Sequence, residues 1–361
     1  MKNNYIKEKQ ISGCAVFGIM NQSKEKFCGD KIIKAISVMH ERSNGLGGGF
    51  AAYGIYPEFK EFWCFHIIYE NEKGKQKTEE YIEKNFLLEK KEKIPTAKSD
   101  KIINPPLLWR YFLKEKKENI ITTVEDYIVS NVMYINSKIP DAFVASSGKN
   151  MGIFKGVGYP EDIGKFFRLD EYEGYIWTAH GRFPTNSVAW WGGAHPFGLL
   201  DWSIVHNGEI SSYGINKRYL ENFDYQCSFF TDTEVITYLV DLIIRKHNLS
   251  FETLANILAA PLWSDIERMN EEEKQFYTNL RIIYSSALLN GPFAIIVANS
   301  EIMFGLNDRI KLRPLVSAIK DDFLFISSEE CAIREICTSP DKVWRTKVGE
   351  PTIGRINKKN G

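Results

Sequence analysis

Cys14-Ala15-Val16-Phe17-Gly18-Ile19-Met20 is the stretch on which the fold of this 361-residue chain turns. Residues 1–13 before it are polar and Lys-rich, so the chain changes character at Cys14 from a tail to an apolar run. That run is too short for a membrane span or a signal-peptide core, and no small-residue cleavage site follows it. Apolar on both faces, AVFGIM reads as a strand buried on both sides, and FAIIVAN at 293–299 reads the same way. Between Cys14 and the next strand, FAAYGIY, residues 31–39 place apolar side chains at helical spacing and end in Ser43-Asn44-Gly45. The intervening Gly45-Leu46-Gly47-Gly48-Gly49 lacks the last glycine of G-x-G-x-x-G. It also follows a helix rather than a strand, so it reads as a flexible turn and not as a dinucleotide loop.

Further along, Lys and Glu crowd residues 70–101, an exposed and solvated surface inserted between core elements. PEDIGKFF suggests a short helix starting at Pro160. YIWTAHGRF and WSIVHNGEI read as strands, residues 233–246 and 251–260 as helices, and FAIIVAN, IMFGL, PLVSAI and FLFISS as strands before a last helix containing EECAIREI. Runs of strands set apart from runs of helices predict α+β layers rather than βαβ alternation.

Bulk composition narrows the function. Hydrophobic residues are 44 % and charged residues 25 %, ordinary for a globular protein. Lys+Arg and Asp+Glu are both 46, so the global basic excess of a nucleic-acid binder is absent. No run approaches about 18 consecutive apolar residues, which argues against a membrane span. The six cysteines (14, 28, 64, 227, 331 and 337) form no C-x-x-C pair. A metal or cluster site is therefore not expected, and free thiols in a cytoplasmic protein are.

Three segments carry chemistry: His180-Gly181-Arg182-Phe183-Pro184-Thr185-Asn186, His206-Asn207-Gly208-Glu209-Ile210 and Thr231-Asp232-Thr233-Glu234. Read singly, each also fits a structural role. Arg182 suits a surface ion pair, Asn207-Gly208 a hairpin turn, and Thr231-x-x-Glu234 a capping box. Their order is more telling. Cys14, H-G-R-x-x-T, H-N-G-E-I and T-D-T-E follow one another as in the class II glutamine amidotransferases, which are amino-terminal nucleophile hydrolases. GRFPTNSVAWWGGAHPF…VHNGEI, ALLNGPFAIIVANSEIMFGLNDRIKLRPL and FISSEECAI further resemble the amidotransferase region of glutamate synthases. The resemblance runs from residue 14 to about 340 and is least secure over 70–150.

That resemblance implies a four-layer αββα sandwich spanning 14–361 with a charged insertion at about 70–150, and a leader, 1–13, removed to expose Cys14. Cys14 would be the nucleophile. A thiol of pKa about 8.5 and an α-amine of about 7.7–8.0 are well matched for proton exchange near neutrality, provided Cys14 is the first residue. Asn207 and Gly208 would form the oxyanion hole. Arg182, with Thr185, would grip the α-carboxylate of L-glutamine, and Asp232 its α-ammonium. His180, His195 and His206 are expected to tune loops.

The ammonia released is expected to pass to a separate glutamate synthase subunit carrying FMN and iron–sulfur centres, since this chain has no cysteine array for clusters. Two alternatives stand beside this: a glutaminase subunit for another acceptor, such as an N-methylglutamate synthase, and a non-catalytic regulatory subunit that retains the fold. The glycines at 45–49 and Trp190-Trp191-Gly192-Gly193 are candidate closing loops.

Overall fold

A computed structural model describes residues 13–183 and 189–357. The strand Ala15–Asn21 is fully buried and lies near the middle of a seven-stranded sheet. Across that sheet run Lys342–Arg345, Val316–Lys320, Phe323–Ser327, Ala15–Asn21, Ile176–Gly181, Gly48–Tyr53 and Met151–Gly156, every neighbour antiparallel. A five-stranded antiparallel sheet (Phe197–Leu199, Trp202–Gly208, Phe293–Ala298, Ile302–Asn307 and Thr352–Arg355) packs face to face against it. The sheets approach closely at Gly18, where an added Cβ would lie 2.8 Å from Met303 Sδ and 3.1 Å from Ile296 Cγ2. A side chain there would wedge the sheets apart.

Helices close both outer faces. Asp30–Ser37, Pro160–Phe166 and Glu330–Ile336 cover the larger sheet, and Asp232–Asp241 lies across the smaller one, with Tyr213–Glu221 packed beside it. The chain is therefore an α+β protein with helix, sheet, sheet and helix layers. The apolar runs read as strands buried on both faces are buried along their whole length because each sheet is covered on one side by the other sheet and on the other by helices.

The Lys- and Glu-rich stretch divides into a helix, Glu72–Asn85, and a strand, Phe86–Lys93. That strand is the edge of a separate four-stranded sheet ordered Phe86–Lys93, Leu107–Glu115, Trp63–Tyr69, Ala142–Ser146. Its lysines sit where unpaired backbone would otherwise invite another strand. The sheet has a real core: Phe65, Tyr111 and Leu113 are buried in one cluster with Ile82 of the helix Glu72–Asn85 and Ile128 and Val132 of the helix Val124–Lys138. Gly48 and Gly49 also differ from the flexible turn expected of them: they begin the buried strand Gly48–Tyr53, and only Gly45 and Gly47 keep the positive φ of a turn. Among the described residues no helix is long and apolar enough to cross a membrane.

Candidate active site

Cys14 is held at the mouth of the central strand by its backbone. Its carbonyl accepts two hydrogen bonds from Arg42, through Nε and Nη2, each 3.2 Å. The third arm of that guanidinium binds Glu329 at 2.7 Å. Val16 N donates to Ser328 Oγ, and Ser328 N donates back to the Val16 carbonyl. Neither Arg42 nor Ser328 stands out in the sequence, because each acts on main chain far away along the chain.

The Cys14 sulfur accepts a hydrogen bond from Phe183 N at 3.3 Å. Burial pushes its thiol pKa up. The Phe183 N–H and the charges of Arg182 and Arg313 oppose the rise, whereas Asp232 adds to it. Among the described residues Sγ is thus met by a backbone N–H donor and by both signs of charge.

Arg182 is buried and seated by the glycine turn. Arg182 N donates to the Gly47 carbonyl at 2.8 Å, and its own carbonyl accepts from Asn44 N and Ser43 Oγ. An added Cβ on Gly47 would lie 3.0 Å from Arg182 Cδ, so the turn needs glycine for contact as well as for its φ of 159°. A surface ion pair is not its setting.

Asn207 and Gly208 end the strand Trp202–Gly208 rather than forming a hairpin turn. Asn207 is wholly buried, and neither atom of its carboxamide has a hydrogen-bond partner among the described residues. Such a group is costly to bury unpaired. It faces the chain just before the nucleophile: an added Cβ on Gly13 would lie 3.8 Å from Asn207 Oδ1, 3.4 Å from Arg313 Nη1 and 3.3 Å from Arg42 Nη2. At Gly208 (φ 153°) an added Cβ would fall 2.0 Å from the Pro292 carbonyl, so no other residue fits that backbone.

Asp232 is the first residue of its helix, and Thr231 makes the N-cap by accepting from Thr233 N. Its own carboxylate is left to accept from Ile210 N at 3.2 Å and to face His206 Nδ1 at 3.4 Å. Burial works to raise its pKa, yet His206, the Ile210 N–H and Thr233 outweigh it and hold the carboxyl below the usual range. Asp232 is therefore an anion at neutral pH. Glu234 does not close a capping box. It accepts instead from Ser228 N (2.8 Å) and Phe229 N (2.9 Å). Thr185 lies outside the described residues.

The three histidines form a buried cluster behind these groups. His180 Nε2 lies 3.0 Å from the His206 carbonyl and 3.1 Å from His195 Nδ1, so one proton on that nitrogen faces two acceptors. Burial, aided by the Arg182 charge, drives the His180 pKa down to about 3. Burial and the neighbouring His180 take His195 well below its usual value. Both rings are neutral packing and hydrogen-bonding groups. Among the described residues no group of three His, Cys, Asp or Glu is arranged to hold a metal ion.

The structure thus gathers Cys14, Arg182 and Asp232 within each other's fields, with Asn207 facing the chain just before the nucleophile. A family model described as class-II glutamine amidotransferases matches residues 104–351, a span that includes Arg182, Asn207, Gly208 and Asp232. The chain belongs to the class-II glutamine amidotransferases. Cys14 lies outside that span, so its place in this amidotransferase rests on the geometry alone.

An uncharacterized protein of Archaeoglobus fulgidus is 49 % identical over 98 % of this chain and 95 % of its own length. The glutamate synthase [NADPH] large chain of Bacillus subtilis is 28 % identical, over 52 % of this amidotransferase but only 13 % of that protein. A solved glutamine phosphoribosylpyrophosphate amidotransferase of B. subtilis aligns over 96 % of this chain and 50 % of its own, with 14 % identity and a TM-score of 0.44. This amidotransferase spans only part of the two B. subtilis proteins it resembles.

Proposed function

We propose that, once the Gly13–Cys14 peptide bond is cut, this chain hydrolyses L-glutamine to glutamate and ammonia with Cys14 as nucleophile. The observation that carries the reading is the setting of Cys14. Its sulfur lies in the fields of the Arg182 cation and the Asp232 anion, and a buried Asn207 carboxamide with no hydrogen-bond partner among the described residues faces the position just before it. Glutamine carries an α-carboxylate, an α-ammonium and a carboxamide oxygen that gains negative charge on attack. Arg182, Asp232 and Asn207 match these three groups in kind.

Because burial raises the thiol pKa, the sulfur needs a base. The α-amine freed by cleavage before Cys14 would be attached to the same residue and ordinarily titrates at about 7.7–8.0. It would take the thiol proton as sulfur bonds to the side-chain carbonyl carbon. It would then deliver that proton to the departing nitrogen as the C–N bond breaks, and water would release glutamate from the thioester. Asn207 and the Gly208 N–H would hold the oxyanion, with Thr185 assisting Arg182.

The ammonia acceptor would be a separate glutamate synthase subunit carrying FMN and iron–sulfur centres, a reading supported by the 28 % identity to the glutamate synthase large chain. A second reading, an amidotransferase subunit serving a different acceptor, draws on the glutamine amidotransferase-like protein GlxB of Rhizobium meliloti. That protein is 33 % identical over 59 % of this chain and 60 % of its own length.

The test combines the mass and amino-terminal residue of the native protein with glutamate release from glutamine by the processed chain. A mature protein that begins before Cys14 and is active would overturn the amine-base mechanism. A mature protein that begins at Cys14 and is inactive, alone and with its partner, would favour a regulatory subunit. Transfer of amide ¹⁵N from glutamine into 2-oxoglutarate in the presence of the flavin subunit identifies the acceptor.

A further inference from the structure

Lys155 is a buried cation that the chemistry above does not use. It sits on Met151–Gly156, the edge strand of the larger sheet, and is 2 % exposed. Its register partner is Gly49, whose other partner is His180, so His180, Gly49 and Lys155 share the face turned toward the second sheet. Gly49 leaves the room: an added Cβ there would lie 2.7 Å from Lys155 Cβ and 2.3 Å from the His195 carbonyl.

The ammonium ends in a box. Nζ donates to the Gly192 carbonyl at 2.8 Å and lies 4.0 Å from the Phe197 ring centre and 5.5 Å from that of Phe229. Trp190 stacks on Phe229 at 5.8 Å, and Phe143 packs edge-on to Trp190 at 4.9 Å. Gly192 and Gly193 allow this closure, since an added Cβ on either would fall 2.1–2.3 Å from the Trp190 ring. The box joins two segments. Residues 190–193 lead into Ala194, and an added Cβ on Gly47 would lie 3.6 Å from Ala194 Cβ and 3.0 Å from Arg182 Cδ, so this segment packs beside the carboxylate clamp. Phe229 precedes Asp232 by three residues, and its N–H is held by Glu234, whose charge favours the ammonium.

We propose that Lys155 is a positioning residue for glutamine binding: its ammonium ties the Gly192 carbonyl and the Phe229 ring together and so sets the two segments that pack beside the carboxylate and ammonium clamps. The inference rests on the glutamine reading above. Lys155 touches neither the nucleophile nor the oxyanion side, so its loss weakens the grip on substrate and leaves the chemical step in place.

Two variants of the processed chain test it. Lys155→Met keeps the stem volume and removes the tie. Lys155→Met/Glu234→Gln also removes the carboxylate that would otherwise remain buried without its counter-charge. Both are expected to raise KM for glutamine about tenfold or more, the scale of a lost charged hydrogen bond, with kcat within about threefold of wild type. Alkylation of Cys14 by iodoacetamide, which needs no clamp, is expected to keep its rate. Inactivation by a diazoketone analogue of glutamine, which needs both clamps, is expected to slow by a similar factor.

A KM within about twofold of wild type in the double variant, or equal slowing of both reagents, overturns the positioning role. The double variant decides the matter if the single one fails to fold. A wild-type processed chain that neither turns over glutamine nor reacts with the diazoketone overturns the glutamine reading itself, and this inference with it.

Discussion

Asp232 and Glu234 stand two residues apart at the start of one helix, yet they serve regions built on opposite terms. Asp232 faces the Cys14 pocket, where His206 and the Ile210 N–H outweigh burial and keep it ionised. Glu234 faces the aromatic box, where burial outweighs two backbone N–H donors and the Tyr238 hydroxyl and raises its pKa to about 7. On the same side, burial pulls Lys155 down to about 7. The pocket therefore holds standing charges that can select an amino-acid substrate. The box uses apolar surroundings, and two opposite charges that act on each other at a distance, to hold two segments. Buried polar groups in one fold need not share one purpose, and their partners tell them apart.

Removing the pocket's nucleophile should have the largest effect. Cys14→Ala is expected to abolish glutamine hydrolysis while changing thermal stability little, since the site is only half-buried and its backbone bonds to Arg42 remain. Any activity comparable to wild type would take Cys14 out of the chemistry. Next comes Asn207→Ala, expected to lower kcat by on the order of a hundredfold. If stability rises in the same variant, because a buried amide with no partner among the described residues has gone, the loss of rate cannot be blamed on unfolding.

Arg182→Lys should act mainly on binding, raising KM by roughly tenfold, because a point charge cannot reproduce the two-pronged grip on a carboxylate. A kcat defect with unchanged KM would move Arg182 from clamp to catalyst. The smallest effect belongs to the box and appears in stability against pH. Glu234 is raised from an ordinary 4.5 to about 7, so across that window the folded chain keeps a proton the unfolded chain has released, and stability falls as pH rises. Lys155 is lowered from 10.5 to about 7, so above neutrality the unfolded chain holds the extra proton, and stability recovers. Arg182 and His195 face the same ammonium, Arg182 with a fixed charge and His195 as a neutral ring. Melting temperature plotted against pH should dip near pH 7 by about a few degrees relative to Lys155→Met/Glu234→Gln. Parallel curves would mean that the pair does not titrate there.

Periodicity and order made much of this legible. AVFGIM, FAIIVAN, IMFGL and FLFISS announce strands because unbroken apolar runs of that length have few other uses, and PEDIGKFF announces its helix through Pro160. The resemblance of their order to the class II glutamine amidotransferases put Cys14, Arg182, Thr185, Asn207, Gly208 and Asp232 into one candidate set. Over the charged stretch the reading was poorer. Exposed Lys and Glu hide the alternation of an edge strand, and the four-stranded sheet they belong to was not foreseen.

What the amino-acid sequence determined by itself, then, is everything carried by local pattern: the apolar strands, the helix starts, the glycines that permit Gly47 and Gly208 to take up their conformations, and the kinds of chemistry on offer. What only the tertiary structure decided is which polar groups meet. Arg42 and Ser328 hold Cys14 from 28 and 312–314 residues away, measured to Cys14 and Val16. Lys155 finds Gly192 across 37 residues, and Glu234 turns from a capping position to bind the 228–229 backbone. Burial and distance fix whether a carboxylate is a charge or a proton donor, and both arise only when segments remote in the chain are packed into one dry interior.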